Sequence, residues 1–153
     1  MRLLEILRII LVSFESLFVG VVVVTYLYLP DFFVGIGSHF KKDDDVWRFI
    51  PSIPMILCVC SVKYAWKILM PLDGSSNRRL IEWPGYWKLK YRAIISVIIC
   101  FACTFGSLSI WIYTFSLSEL TVGAIFIASI IISLTVVFSQ FLAALKVREL
   151  MEP

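Results

Sequence analysis

The sequence predicts an all-α integral membrane protein, a four-transmembrane-helix bundle with both termini cytoplasmic. Three observations predict it. Of 153 residues, 60% are apolar and only 16% charged, whereas a soluble domain carries about 25% charged residues. Four apolar stretches, at about residues 9–29, 50–70, 93–115 and 121–145, each reach the roughly 20 residues that cross about 30 Å of hydrocarbon as a helix. The connection between the second and third stretches concentrates Lys and Arg. A single membrane domain then occupies residues 1–153 and leaves no length for a separate soluble catalytic domain. The net charge of +3 and pI near 8.7 are too mild for direct nucleic-acid binding and suit basic loops against an anionic inner leaflet.

Residues 9–29 contain one charge, Glu15. Arg2 and Arg8 precede this stretch as they would in a signal peptide. No small-x-small cleavage motif follows, and the exit reads Tyr28-Leu29-Pro30, so the segment is expected to remain as an anchor. Residues 50–70 carry Lys63 and Lys67 near their end, while 93–115 and 121–145 carry no charge at all. The β-branched runs at 21–25 and 130–132 do not argue for strands, because a backbone in lipid must pair its own polar groups and these stretches are too long for barrel strands.

Orientation follows from the bases. The loop at about 71–92 carries Arg78, Arg79, Lys88, Lys90 and Arg92 against Asp73 and Glu82, which assigns it to the cytoplasm. Both ends follow it there, in agreement with Arg2 and Arg8 at one and Lys146 and Arg148 at the other. The outer side receives the loop at about 30–49 and the short turn at 116–120, which makes the last two spans an antiparallel hairpin. Lys41, Lys42 and Arg48 in the longer outer loop run against the rule, beside Asp31, Asp43, Asp44 and Asp45. With Phe32, Phe33 and Phe40 among its charges, this loop is expected to fold back on the outer interface.

Within the spans Glu15 stands out, because an intramembrane carboxylate is costly and marks a functional or partnered position. Counting the helical rise places it about 9 Å below the inner boundary and Lys63 about 10 Å, which predicts an intramembrane Glu15–Lys63 charge pair. The competing reading has Glu15 protonated beside Ser13 and Ser16 while Lys63 snorkels to the headgroups. Small residues form stripes at helical spacing: Ser16 and Gly20 on the first span; Ser96, Cys100, Thr104 and Ser107 on the third; Ala124 with Ala128, and Ser129 with Ser133, on the fourth. These are expected to pack helices together within the chain and in a homo-oligomer. Gln140 is a candidate interhelical hydrogen bond. His39 has no second ligand or nucleophile nearby and reads as an exposed loop residue. The most distinctive stretch runs from Leu80 to Arg92. There Trp83, Tyr86, Trp87 and Tyr91 alternate with Lys88, Lys90 and Arg92, as at a headgroup boundary or on a surface for a cytosolic protein. With Arg78 and Arg79 these residues form the predicted partner or lipid docking site.

The cysteines form Cys58-Val-Cys60 on the second span and Cys100-Phe-Ala-Cys103 on the third. A C-x-x-C on a four-span protein of this size resembles the quinone-coupled disulfide-forming enzymes and the vitamin K epoxide reductases, in spacing and span count. It departs from them in that neither outer loop holds a cysteine for exchange with a substrate, and a thiol in hydrocarbon is inert. The cysteines therefore read as small packing residues.

No nucleophile–base pair, cofactor motif or metal-ligand spacing appears, so neither catalysis nor a cofactor is expected. The expected function is that of a non-catalytic inner- or plasma-membrane subunit, a scaffold or membrane sensor that oligomerises and recruits or signals to a cytosolic partner. Its layout is similar to that of four-span colicin immunity proteins and of membrane subunits of antiphage systems such as Kiwa, and this likeness implies an immunity or antiphage-defence role. Two alternatives stand beside it: a small ion channel or transporter using Glu15 and Lys63, and a membrane thiol oxidoreductase.

Overall fold

The computed structural model describes residues 14–41, 49–70, 82–113 and 116–151. Among them are five α-helices: α1 (Phe14–Tyr28), α2 (Pro30–Lys41), α3 (Ile53–Leu69), α4 (Tyr86–Tyr113) and α5 (Glu119–Met151). A 3-10 turn at Ile50–Ser52 leads into α3. The protein is all-helical where described. Among the described residues, three helical stretches are long and apolar enough to cross a membrane: Ile50–Leu69, Tyr86–Tyr113 and Glu119–Glu149. The bent pair α1–α2 makes a fourth if it is one span.

Proline explains that bend. Pro30 lacks a backbone N–H and pushes the preceding residue out of the helical region, so α1 closes with the Leu29 N–H donating to the Thr25 carbonyl at 2.8 Å. The chain then turns through 94° into α2, with Pro30 at a helix start, where its missing donor costs nothing. The stretch read from the sequence as an outer loop thus begins with a helix, and the loop at 71–92 gives its last seven residues to α4.

Helices α3, α4 and α5 form the core. Buried residues of α3 and its leading turn recur at Pro51, Pro54, Cys58, Ser61, Ala65 and Ile68. Those of α5 include Val122, Phe126, Ser129, Ser133, Val136 and Gln140. Steps alternating between three and four residues give a coiled-coil seam. On α4 the buried set is Ala93, Ser96, Cys100, Thr104, Ser107 and Ile110. Such small side chains let helix backbones approach closely, which matters in lipid, where apolar surface alone drives no association.

Two of these hydroxyls hold helix ends together. The Ser107 Oγ donates to the Pro51 carbonyl at 2.8 Å, and the Thr104 Oγ1 to the Pro54 carbonyl at 3.2 Å. By contrast the Ser61 Oγ is buried with no hydrogen-bond partner. Opposite outcomes are expected: Ser107→Ala lowers stability by about 0.5–1.5 kcal/mol, whereas Ser61→Ala removes an unpaired hydroxyl and leaves stability equal or higher. Thermal unfolding in one detergent checks the pair, and a matching loss in both variants contradicts the assignment.

At the end where α5 begins, α2 lies across that helix with no room to spare. A Cβ on Gly37 would run into the Glu119 backbone carbonyl, and one on Gly123 into the Phe33 carbonyl. Phe33 is fully buried beside this crossing, and the rings of Phe40 and Phe126 meet edge to face at 4.8 Å.

Candidate functional site

Helix α4 is flanked by aromatic belts. Tyr91 and Trp111 stand 20 residues apart, about 30 Å along a helix and the thickness of the hydrocarbon layer. The residues before Tyr91 therefore project past the apolar stretch as continuous helix. A turn at Trp83-Pro84-Gly85 starts it: the Tyr86 N–H donates to the Trp83 carbonyl at 3.0 Å and the Leu89 N–H to the Gly85 carbonyl at 3.2 Å.

This projecting end is held by packing. Tyr86 and Leu89 of α4 and Met151 of α5 rest on a cluster of Ala65, Ile68, Ala93 and Val147. Of the predicted docking residues, Tyr86 is thus part of the packing. Trp83 and Tyr91 are about half exposed, at 53% and 47%; Lys88, Lys90 and Arg92 are exposed, and Tyr86 and Trp87 half-buried. Trp87 meets Tyr91 edge to face at 6.0 Å, with the Lys88 Nζ 5.5 Å from the Trp87 ring centroid. Lys88 stands in the first turn of α4, which contains no acidic residue. A cation there opposes the helix dipole, so helix stability does not account for its position. Arg78 and Arg79 lie outside the described residues.

The other predicted sites distribute as follows. Lys63 occupies an exposed position on α3, while the Glu15 side chain lies outside the described residues. The main contacts of α1 are with α5. Of the small-residue stripes, Ser96, Cys100, Thr104, Ser107, Ser129 and Ser133 are buried. Ser16, Ala124 and Ala128 are half-buried, and Gly20 is exposed with open space where a Cβ would stand. The Gln140 Nε2 donates to the Ala93 carbonyl at 3.3 Å, an interhelical bond between α5 and α4. All four cysteines are free thiols; Cys58 and Cys100 are buried together against Val136, and Cys60 and Cys103 are half-buried. His39 is exposed near the end of α2.

Sequence reading passes over two features. The glycine crossing of α2 on α5 has a signal only in the small residues Gly37 and Gly123, on segments read as a loop and as a span. The second is a cleft beside Arg92, lined by Ser96, Ser139 and Gln140; its residues lie far apart in the chain and share no motif. No family model, curated protein or solved structure matches the chain.

Proposed function

We propose that the protein is a non-catalytic subunit of a bacterial inner membrane or plasma membrane, with four spans and both termini cytoplasmic, and that it recruits a cytosolic protein through residues 83–92. The observation that carries this reading is the helical end that displays Lys88, Lys90 and Tyr91, with Trp83 in the turn before it, packed against the end of α5 rather than hanging in a loop. Exposed Trp and Tyr are among the residue types that dominate binding hot spots. Because α4 is continuous from this surface into the core, a partner bound there is coupled to the packing of the spans. Homo-oligomerisation is the accompanying expectation. Only 28–33% of the most apolar part of each of the three long helical stretches is buried within the chain, which leaves apolar helix faces for lipid or for further copies. The proposed part in immunity or antiphage defence rests on span layout.

Affinity capture from native membranes tests the docking role, comparing the wild type with Trp83→Ala combined with Lys88→Gln and Lys90→Gln. The expected result is a soluble protein that copurifies with the wild type and falls about tenfold or more in the variant. Equal recovery from a variant of unchanged stability overturns it. A tag inserted near Ser75 is expected to be protected in intact cells and accessible in inverted vesicles.

A further inference from the structure

A groove of about 990 Å³ runs along α5, walled by residues that include Phe18 of α1, Tyr64 of α3, and Ile131, Leu134, Phe138 and Leu142 of α5 itself. Its lining is almost wholly apolar, with Arg92 of α4 as its charged wall. The same Arg92, with Ser139, also lines the small cleft of about 110 Å³ that holds Ser96 and Gln140. Groove and cleft therefore meet at Arg92 and Ser139. Gln140 is 97% buried, being only 3% exposed. Its Nε2 is engaged on Ala93, and its Oε1 has no hydrogen-bond partner. A buried acceptor left unpaired is costly and calls for a donor.

From this arrangement we propose that groove and cleft together bind one anionic phospholipid with a hydroxylated headgroup, of the phosphatidylglycerol type. Its acyl chain lies along α5, its phosphate meets Arg92, and a headgroup hydroxyl donates to the Gln140 Oε1. The depths agree. Arg92 immediately precedes the charge-free stretch that begins at Ala93, which is the level of lipid phosphates. From Leu142 to Ile130 the groove runs along α5 for about 18 Å of helix axis, close to the depth of one leaflet. Charge selects the phosphate, since Arg binds it bidentately, and the orphan acceptor selects the hydroxyl. The proposal rests on the helices crossing a membrane and is independent of the docking role.

The test is native mass spectrometry of protein released from nanodiscs containing equal amounts of phosphatidylglycerol and phosphatidylcholine. The expected result is one retained phosphatidylglycerol per chain. Arg92→Gln is expected to reduce retention about tenfold or more, and Thr135→Trp, which fills the groove, to abolish it. Lys88→Gln with Lys90→Gln, exposed bases that line neither groove nor cleft, is expected to leave retention unchanged. In nanodiscs where phosphatidylmethanol, an anionic lipid without a headgroup hydroxyl, replaces phosphatidylcholine, the wild type prefers phosphatidylglycerol and Gln140→Leu does not. Thermal unfolding of each variant separates loss of binding from loss of fold. Equal retention of the two lipids in the first nanodiscs overturns the proposal. So does an equal loss in the Lys88/Lys90 variant, which reduces the effect to general surface charge. A lipid-free dimer overturns it in favour of a second copy in the groove.

Discussion

Replacing Gly123 by alanine is expected to destabilise the protein by about 1–3 kcal/mol, the cost of forcing an atom into a close-packed contact. The same change at Gly20 is expected to stabilise it. Both residues lie inside helices, where glycine is about 0.5–1 kcal/mol worse than alanine because of its backbone entropy, so propensity alone predicts a gain at each. Gly20 has open space where the new Cβ would stand, and the gain is realised there. At Gly123 the Cβ would overlap the Phe33 carbonyl of α2. That carbonyl belongs to helix backbone and cannot swing aside as a flexible side chain does. The contact is relieved only by lifting α2 from α5, which exposes Phe33 and parts the Phe40–Phe126 ring pair. Thermal unfolding in detergent reads the difference, followed with a thiol-reactive dye that reports Cys58 and Cys100 as they leave the core. Shifts of the same sign in the two variants would dispose of the glycine crossing.

Cys100→Leu carries a comparable expected loss, about 1–3 kcal/mol. Cys100 is fully buried where α3, α4 and α5 meet, against Cys58 and Val136. The seam is built on small side chains at Ser96, Cys100, Thr104 and Ser107, so extra methylenes wedge the helices apart and strain the neighbouring Thr104 bond to Pro54. Cys60→Leu, at a half-buried position, is expected to cost little. Circular dichroism melts of the two variants make the comparison, and equal melting temperatures would refute the seam. A protein with all four cysteines replaced by Ala or Ser is expected to fold and to capture the proposed soluble partner as the wild type does. Loss of partner capture in that variant, with the melt unchanged, would favour thiol chemistry instead.

The membrane-crossing character was legible residue by residue because a bilayer is a solvent that tests each segment separately. A run without charges such as 93–115 must pair its own backbone, and a helix does so with no help from its neighbours. The polar stripe Ser96, Cys100, Thr104 and Ser107 was legible by its spacing, since steps of three and four residues place the four on one helix face. Segment ends were less so. The composition of Tyr86 to Arg92 reads as a charged loop, yet it is helical because Tyr86 and Leu89 find Ala65, Ile68, Ala93 and Val147 to rest on.

Pairwise matters lay beyond any local pattern. Helix α5 is apolar on every side, so periodicity cannot choose which face turns inward; the choice falls to the shapes of α3, α4 and α2. Gly37 and Gly123 recognise each other by lacking side chains, a feature without hydropathy or charge to announce it. Arg92 and Gln140 share a cleft although 48 residues separate them, because an antiparallel hairpin brings the start of one span level with the end of the other. Solvent sets composition and length one segment at a time. Contact between surfaces exists only once both are present, and for that reason the crossing, the seam and the cleft emerge from three-dimensional packing alone.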